Sequence, residues 1–462
     1  MTAQSTAAPE AFVAGRRTLL EDPAATIEAA VAGVAAAQHG LRALSSADRA
    51  AILDRLSLAL AADVERLADE LVAEAPFLTR RDMVLEVERA IDVLTLTAAA
   101  TREGFDEVVN LEGSPRGRDA FGIVKRVPHG PLLAITAFNG PILIATHKIA
   151  PAIAAGTATV LKPSPRVPRA AVALAELIVR AGWPADALAV LPVGNDETMQ
   201  LVRDPRLPCI SFTGGEVGWA LKDAAPRKHV HLEMGGVGAT LVAPDADLDE
   251  VVEQCAIGAF VRSGQACLSV QRVYAHADIH DELIDRLAAR VAQVQAGDAA
   301  APDTQVGPLV DDASADRVAA IVADAVEHGA RLVCGGTRAD RLVQPTLLAG
   351  TGPQMRVLRD EVFGPVIAVA RIADMAEGVR EANAVGGALQ AGVFTRDIDL
   401  ALSLADDLDA GGVIINGSNA WRIDTMPFGG TGLSGFGREG VRSMVAELTA
   451  PKVIVLRRRP AA

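Results

Sequence analysis

The sequence has few aromatic residues, and it has fewer basic than acidic ones. Aromatic residues make up 3% of the 462 positions, and 44 Lys and Arg stand against 58 Asp and Glu, which gives a formal net charge of −14. Nucleic-acid sites need positive charge and often use aromatic platforms for the bases. Anionic membranes also repel an acidic surface. We therefore expect neither nucleic acid nor a membrane among its partners.

Cysteine is scarce as well, and long apolar runs are missing. The four cysteines, Cys209, Cys255, Cys267 and Cys334, form no Cys-x-x-Cys pair. This disfavours a disulfide framework or a zinc ribbon and indicates a reducing compartment. Residues 1–9 lack the pattern of a signal peptide, and no uncharged apolar run reaches the ~18 residues that a membrane span needs. These absences predict a cytoplasmic protein.

The apolar pattern predicts an α/β protein of two or three domains, because 462 residues exceed one ordinary core. Helical spacing predicts helices at about 24–38, 46–74 and 79–102. A β-hairpin is predicted over 107–127, and residues 452–456 form an isolated apolar strand. From residue 131 onward strands alternate with helices, which is typical of parallel, doubly wound sheets. The predicted strands are 132–137, 159–161, 188–193, 209–213 and 229–233 and, in a second domain that starts at Gly235-Gly236, 239–243, 270–275, 366–371, 390–394 and 412–415.

Polar side chains follow several strands of the first half, at the edge where doubly wound sheets bind ligands. Asn139 follows strand 132–137, Lys162 ends the next strand, and Glu233 ends strand 229–233. The stretch Thr213-Gly214-Gly215 runs from a strand into a helix, and its free N–H groups suit an anion. An amide can stabilise an oxyanion and a carboxylate can act as a base. Taken singly, each is equally explained as a turn or surface residue.

Cys267 lies between a predicted helix at 248–262 and a predicted strand at 269–275. Gly264 permits a tight turn before it, so the thiol is expected at the mouth of a strand, where a nucleophile is reachable. A free cysteine is more often inert core than a nucleophile. The interpretation of Cys267 therefore depends on its neighbours.

Two other patterns invite alternative interpretations. His229, His231 and Glu233 alternate along one strand and share a face. That spacing raises the alternative of a metal enzyme, but no further ligands are evident, and the rival interpretation takes Glu233 alone as a general base. The segment 430–435 matches G-x-G-x-x-G, but no strand precedes it, so we interpret it as a loop near the site.

Together and in this order, these segments resemble the aldehyde dehydrogenase superfamily over about residues 25–458. The motifs that carry the resemblance are Phe138-Asn139-Gly140-Pro141, Leu161-Lys162-Pro163-Ser164, Phe212-Thr213-Gly214, Leu232-Glu233-Met234-Gly235-Gly236, Gly264-Gln265-Ala266-Cys267, Glu361-Val362-Phe363-Gly364-Pro365 and Pro427-Phe428-Gly429-Gly430, with Ser434-Gly435 and Gly437-Arg438-Glu439. The combination is specific, although each motif alone is modest.

The resemblance implies an aldehyde dehydrogenase-like fold. Its parts would be a Rossmann-type cofactor domain at 1–106 and 128–234, an α/β catalytic domain at 235–446, and a β oligomerisation arm at 107–127 and 447–462. The expected assembly is a homodimer or a homotetramer.

The resemblance also implies a mechanism for oxidising an aldehyde to an acid. The Cys267 thiolate would add to the aldehyde as a thiohemiacetal, with the Asn139 amide and the Cys267 N–H holding the oxyanion. Loss of hydride to the nicotinamide would leave a thioester, which water activated by Glu233 would hydrolyse. The alternatives are an acylating enzyme that passes the thioester to coenzyme A and a non-catalytic binding protein on the same fold. Retention of Cys267, Glu233 and Asn139 together favours the hydrolytic enzyme.

The implied cofactor is NAD or NADP. The cofactor-binding residues would be Lys162, Ser164, Pro165, Thr213, Gly214, Gly215, Glu361 and Phe363. Lys162 would touch the adenine ribose, Glu361 the nicotinamide ribose, and Phe363 would support the nicotinamide. Pro165 stands where NAD-preferring relatives often have Glu. A carboxylate there would bind the ribose 2′-hydroxyl and repel a 2′-phosphate, so its absence keeps NADP open.

The implied substrate pocket contains Gly140, Ile144, His147, Val261, Arg262 and Phe428. Relatives that take apolar aldehydes often have bulky aromatic residues at the positions of Gly140 and His147. The small and polar residues here predict a polar or anionic aldehyde, anchored by His147 or Arg262. No metal ion is expected.

Overall fold

Two β-sheets covered by helices make up most of the protein, for which a computed structural model describes residues 8–458. The predicted α/β class is confirmed. Residues 1–7 and 459–462 lie outside the described residues. They include most of the region searched for a signal peptide and the outer ends of two predicted domains.

The first half of the chain builds an eight-stranded sheet in the order β19-β9-β8-β5-β6-β7-β1-β2. Its elements and the neighbouring ones are β1 Glu10–Val13, β2 Arg16–Leu19, α1 Pro23–Gly40, α2 Ser46–Ala61, α3 Val64–Glu74, α4 Arg80–Glu103, β3 Glu107–Val109, β4 Ala120–Pro128, β5 Leu132–Ile135, α5 Leu143–Ala155, β6 Thr159–Lys162, α6 Pro168–Arg180, β7 Leu188–Val190, α7 Asn195–Arg203, β8 Cys209–Gly214, α8 Val217–Ala224 and β9 His229–Met234, with β19 Gly435–Phe436 added from far along the chain.

The second half builds a seven-stranded sheet in the order β12-β15-β16-β11-β10-β17-β18. Its elements and the remaining ones are β10 Ala239–Val242, α9 Leu248–Phe260, β11 Arg272–His276, α10 His280–Val291, α11 Asp312–Glu327, β12 Arg331–Cys334, β13 Arg338–Ala339, β14 Leu342–Val343, β15 Thr346–Ala349, β16 Val366–Ile372, α12 Met375–Asn383, β17 Ala388–Phe394, α13 Ile398–Asp407, β18 Ala410–Ile415, α14 Val441–Leu448 and β20 Thr449–Arg457.

Strand β5 occupies the centre of the first sheet because the chain reverses its direction of travel across the sheet there. It runs from β5 through β6 to β7 on one side and then crosses to β8 and β9 on the other. The loops after β5 and β8 therefore diverge and leave a crevice at the carboxyl edge, which is where such sheets bind ligands. Every residue of β5, β6 and β7 is buried, as expected for parallel strands covered on both faces.

The chain returns to the first sheet near its end. Gly435 pairs with Glu233 when β19 adds antiparallel to β9, and Met444, Val445 and Leu448 of α14 belong to the core around that sheet. This return begins inside the predicted catalytic domain at 235–446, so the packing favours an earlier boundary there. The division into domains stays a prediction.

The sequence missed or misplaced several local elements. The hairpin of β1 and β2 was not predicted, because β2 is polar and fully exposed and β1 joins the sheet through a long-range pairing of Phe12 with Val190. The helix predicted over 46–74 is two helices that break at 62–63. The helix predicted over 248–262 ends at Phe260, because the next residues turn into a left-handed conformation.

A separate three-stranded sheet, in the order β20-β4-β3, joins the predicted hairpin to the predicted C-terminal strand. β20 pairs antiparallel with β4 from Thr449↔Pro128 to Arg457↔Ala120. Its large apolar side chains are exposed, and they are Val108, Phe121, Val453, Ile454, Val455 and Leu456. Within residues 8–458, no helix is both long and apolar enough to cross a membrane.

Candidate active site

A cavity of about 960 Å³ collects nearly all of the predicted site residues. Its wall includes Asn139, Ile144, His147, Lys162, Ser164, Pro165, Thr213, Gly214, Gly215, Glu233, Val261, Arg262, Cys267, Glu361, Phe363 and Phe428. Gly140 does not line it but lies directly behind, since a Cβ on Gly140 would stand 3.0 Å from Ile144 and 3.1 Å from Nη1 of Arg262. The residues come from both halves of the chain, so the cavity lies between them.

The loop that carries Cys267 is held in an unusual backbone conformation. Arg262, Ser263 and Gly264 have φ angles of +54°, +58° and +71°, a region that L-residues rarely adopt. At position 264 only glycine fits, because a Cβ would collide with the Gly364 carbonyl. Such strain persists only where the surroundings enforce it.

Hydrogen bonds from a second segment fix this loop. Ser263 Oγ accepts from the Gly307 N–H at 2.8 Å, and Gln265 Oε1 accepts from the Val310 N–H at 2.9 Å. Ser263 and Gln265 are fully buried. Because both bonds flank the approach to Cys267, the position of its thiol is well defined.

The Cys267 thiol is in an environment that disfavours its ionised form. Burial raises its pKa to about 12, and the Glu361 and Glu233 carboxylates act in the same direction, while Arg422 and Arg262 oppose them. A thiol with this pKa is almost entirely protonated near neutral pH. Thiolate chemistry therefore requires a base or a change in nearby charge.

Two hydrogen-bond donors belong to the cavity that Cys267 lines. The Asn139 side chain, buried after β5, donates from Nδ2 to the Gln265 carbonyl at 2.8 Å. This bond uses one of its two amide hydrogens and leaves the other free. Within the described part of the chain, the Cys267 N–H has no hydrogen-bond acceptor. A free amide hydrogen and a free backbone N–H in one cavity are donors of the kind that an oxyanion hole uses.

Glu233 is a buried carboxylate on the edge of the same cavity. Burial raises its pKa, and a hydrogen bond from His231 partly opposes that effect. Its Oε1 lies 2.9 Å from His231 Nε2, while its Oε2 is buried without a partner among the described residues. A carboxylate with a raised pKa and one free oxygen suits a general base near neutral pH.

The predicted cofactor residues occupy the far end of the cavity, at the carboxyl ends of β6 and β8. The Lys162 ammonium is buried, which lowers its pKa, and among residues 8–458 it has no ion-pair or hydrogen-bond partner. The Thr213 hydroxyl is likewise buried and unpartnered there, and Gly215 has open space where a side chain would stand. Unpaired donors beside an open glycine fit the ribose and phosphate groups of a dinucleotide.

Glu361 and Phe363 close the cavity between that end and the thiol. Burial raises the pKa of Glu361 to about 7. A Cβ on Gly235 would collide with the Glu361 carboxylate and displace it. Phe363 has a φ of +49°, and its ring meets Phe138 edge to face at 6.0 Å. The Arg317 guanidinium fixes this turn by donating to the carbonyls of Glu361 and Val362.

Comparison with known proteins assigns the chain. A sequence model of the aldehyde dehydrogenase family matches residues 18–454. The chain belongs to the aldehyde dehydrogenase family. The 3-sulfolactaldehyde dehydrogenase of Priestia megaterium is 35% identical over 444 residues, which are 94% of this chain and 93% of that protein.

Two solved structures show the same fold. Aldehyde dehydrogenase 21 from Physcomitrella patens, in complex with the reaction product succinate, is 31% identical with a TM-score of 0.93 and covers 97% of this chain and 98% of that one. The glyceraldehyde-3-phosphate dehydrogenase GapN of Methanocaldococcus jannaschii, complexed with NADP, is 32% identical with a TM-score of 0.88, at 93% and 94% coverage. The predicted family, enzyme class and NAD or NADP cofactor are confirmed.

The substrate end of this aldehyde dehydrogenase differs from the expectation at His147. The His147 ring is buried, which lowers its pKa, and it lies 3.4 Å from Asp424 and 3.8 Å from Glu439. A neutral ring between two carboxylates is a poor anchor for an anion.

Arg262 lines the cavity as predicted, but part of its guanidinium is engaged. Its Nη2 lies 3.2 Å from Glu86 Oε2. The other Glu86 oxygen accepts from the N–H groups of Ile142 and Leu143 at the start of α5. Arg262 therefore neutralises a buried carboxylate that caps a helix, and only its remaining N–H groups are free for a substrate.

Arg422 is a cavity residue of this aldehyde dehydrogenase that the sequence did not reveal. Its guanidinium stacks on Phe428 at 3.8 Å and donates to Glu439 at 2.9 Å. Its Nε is buried, lies 3.8 Å from Asp424 Oδ1 and donates no hydrogen bond among the described residues. Arg422 lies in an irregular loop between β18 and β19, and no motif marks it. The one available signal was its position five residues before the Pro427-Phe428 motif.

The histidines of β9 do not form a metal cluster. His229 is exposed and stacks on His129 at 3.4 Å, whereas His231 points inward to Ser211 and Glu233. Across residues 8–458, no group of three or more potential ligands is arranged to hold a metal ion. The metal-enzyme alternative therefore receives no support from this strand.

Proposed function

We propose that this enzyme oxidises an aldehyde to a carboxylic acid, with Cys267 as nucleophile, Asn139 and the Cys267 N–H as oxyanion donors, and Glu233 as general base. The observation that carries the proposal is the convergence of a thiol, two free donors and a buried carboxylate on one cavity. Each group matches the chemistry of one step.

The first step forms a carbon–sulfur bond. Glu233 accepts the proton of the Cys267 thiol, and the thiolate attacks the aldehyde carbon. The carbonyl oxygen becomes an oxyanion, which the free hydrogen of the Asn139 amide and the Cys267 N–H stabilise. Bound NAD or NADP, which Lys162, Thr213 and Glu361 would hold, supplies the hydride acceptor for oxidation.

The second step breaks that bond. After oxidation, Cys267 carries the acyl group as a thioester. Glu233 first releases to solvent the proton that it took from the thiol. It then removes a proton from water as the water attacks the acyl carbon, the carbon–sulfur bond breaks, the proton passes to the Cys267 sulfur, and the carboxylic acid leaves. The same two donors stabilise the oxyanion again, so one arrangement serves both steps.

We also propose that the substrate carries a negative charge away from the aldehyde, with Arg422 as its principal anchor and Arg262 as a second. The Nε of Arg422 supports this, because it lies 3.8 Å from Asp424 but donates no hydrogen bond among the described residues, and a buried donor without an acceptor is costly unless a ligand completes it. Relatives named for a sulfonated aldehyde and for a succinate product agree with this substrate class.

The substrate test compares butanal with the four-carbon aldehyde that carries a terminal carboxylate. We expect Arg422→Met to raise KM for the anionic aldehyde by about tenfold or more, the equivalent of one charge-assisted hydrogen bond, and to leave KM for butanal nearly unchanged. Arg180→Met, which alters a helix-end arginine outside the cavity, is the matched control. Equal effects on both aldehydes would refute the anchor.

Hydrolysis rather than transfer to coenzyme A is the proposed fate of the thioester. The free Oε2 of Glu233 supports it, because transfer to a thiol does not need a base that activates water. Product analysis with and without coenzyme A separates the two. Free acid as the sole product in both reactions is expected, and an acyl-coenzyme A product would favour the alternative.

A homodimer or homotetramer assembled through the β3-β4-β20 sheet is the proposed quaternary structure. Six large apolar side chains are exposed on this small sheet, and contiguous apolar patches of this kind usually mark interaction sites. We further propose a reducing, cytoplasmic location, which the four free cysteines support. Cell fractionation tests it.

A further inference from the structure

A line of four buried side chains leads away from Glu233 into the first sheet. Lys148 Nζ donates to Ser211 Oγ at 2.8 Å, Ser211 Oγ lies 3.1 Å from His231 Nδ1, and His231 Nε2 lies 2.9 Å from Glu233 Oε1. Lys148 and Ser211 are 0% exposed, His231 is 2% exposed and Glu233 is 4% exposed. The line joins α5, β8 and the two ends of a His-Leu-Glu stretch on β9.

The hydrogen-bond inventory assigns a direction to this line. An ammonium group only donates, so Ser211 Oγ accepts from Lys148. The Ser211 hydroxyl hydrogen has no other acceptor among the described residues, and it satisfies His231 Nδ1. The imidazole then carries its hydrogen on Nε2 and donates it to Glu233 Oε1. The hydrogen bond at one ring nitrogen usually decides in this way which nitrogen carries the hydrogen.

We propose that His231 is a positioning residue that holds Glu233 in one orientation, with Oε1 occupied and Oε2 free for the thiol and for water. The proposal rests on the proposed role of Glu233 as general base. His231 does not touch the substrate. It acts by restricting the rotation of a buried carboxylate, which would otherwise spend part of its time turned away from the acyl group.

The strand geometry explains why this pair can form. Residues two apart on a strand share a face, so His231 and Glu233 are neighbours on the same side of β9. The backbone of Gly437 packs close to the ring, because a Cβ there would lie 2.9 Å from His231 Cδ2. The ring is thereby enclosed on the side of that loop.

Other ionisable groups surround Glu233, and their charges also affect the pH dependence of the rate. They are Lys148 from α5, Cys267 from the nucleophile loop, Arg422 and Glu439 from the loops around β19, Arg438 beside Gly429, and Glu447 of α14 near the far side of His231. Arg438 is occupied by the Gly430 and Gly437 carbonyls. Of these contacts, only the His231 bond reaches a Glu233 oxygen at hydrogen-bond distance within residues 8–458.

The test replaces His231 with two residues of similar length. His231→Gln keeps an N–H donor near the position of Nε2, whereas His231→Phe keeps the volume and removes the donor. In stopped-flow assays with a good aldehyde, we expect His231→Phe to slow both the burst of reduced cofactor and the following steady state by about tenfold or more, since Glu233 is the proposed base for the thiol and for the hydrolytic water. His231→Gln is expected to restore at least a third of the native steady-state rate.

The pH profile provides a second readout. The bond from His231 lowers the pKa of Glu233, against the effect of burial. Without the donor that pKa rises, so the acid limb of kcat is expected to move to higher pH in His231→Phe and to stay near its native position in His231→Gln. A merely structural role would lower the rate in both variants without moving the limb.

Failure of this inference is distinguishable from failure of the proposed function. Cys267→Ala removes burst and turnover together if the proposed nucleophile is right, whatever His231 does. Thermal melts of each variant identify a loss that comes from unfolding, and a destabilised His231→Phe is replaced in the assay by His231→Leu. The role of His231 would be overturned by a folded variant that lacks the donor and still shows a native burst, a native steady-state rate and an acid limb of kcat at its native pH.

Discussion

Replacement of Asn139 by alanine tests the proposed oxyanion site most directly. The Asn139 amide donates one hydrogen to the Gln265 carbonyl at 2.8 Å and leaves the other free in the cavity that Cys267 also lines. Removal of one oxyanion donor typically lowers kcat by about 10²–10³, or about 2.7–4 kcal/mol. We expect a loss in that range for Asn139→Ala, measured as the rate of cofactor reduction under saturating aldehyde and cofactor.

A second effect of the same substitution must be separated from the first. Alanine leaves the buried Gln265 carbonyl without its partner, which costs about 1–3 kcal/mol of folding stability. Gln38→Ala is the matched control, because the Gln38 amide also donates to a backbone carbonyl, that of Gly156 at 2.8 Å, but far from the cavity. We expect Gln38→Ala to lose stability and keep its turnover.

The result that would refute this reasoning is a folded Asn139→Ala enzyme whose kcat lies within tenfold of the native value. That outcome would mean that the Cys267 N–H alone stabilises the oxyanion, or that another donor does so. A lower kcat together with an unchanged KM would support a donor that acts mainly in the transition state.

Three further predictions follow from the charges and surfaces of the structure. Glu361→Gln removes a carboxylate that raises the Cys267 pKa. Alkylation of Cys267 by iodoacetamide above pH 8, where Glu361 with its pKa of about 7 is ionised, should therefore accelerate, and an unchanged rate would contradict this prediction. Pro165→Glu should raise KM for NADP by about tenfold or more and leave KM for NAD nearly unchanged, because a carboxylate repels a 2′-phosphate. Steady-state kinetics with both cofactors tests this. Equal changes in the two KM values would argue against the proposed position of Pro165 beside the 2′ group of the ribose. Val455→Asp should shift sedimentation toward smaller species, while Val326→Asp, on the exposed face of α11, should not; an unshifted Val455→Asp would count against the proposed arm.

The motifs of the sequence were sufficient to predict the family and to place the candidate site residues in one cavity, because each motif ends a strand or forms a tight turn. Cys267, Glu233 and Asn139 occupy such positions, and all three line the cavity. The helix break at 62–63 and the end of α9 at Phe260 were not predictable in the same way. Both depend on how distant segments pack against the chain rather than on the local apolar period.

The residues of the substrate pocket show more clearly what the local sequence could not predict. His147 looked like an anion anchor until the fold placed it between Asp424 and Glu439, residues that are nearly three hundred positions away in the chain. Arg422 had no motif of its own and became a candidate only because its loop folds over Phe428. The charge around a side chain depends on its neighbours in space, and the sequence does not show which residues those are.

From the sequence alone, most strands and helices, the glycine-rich turns and a candidate nucleophile and base could be predicted. Periodicity and the chemistry of single residues are local properties, and the resemblance of the combined motifs supplied the expected roles. The ionisation environment of the Cys267 thiol, the free oxygen of Glu233 and the line of hydrogen bonds from Lys148 through His231 depend on the tertiary structure. Burial and hydrogen-bond partners arise when separate segments meet, and segments from both halves of the chain line this site.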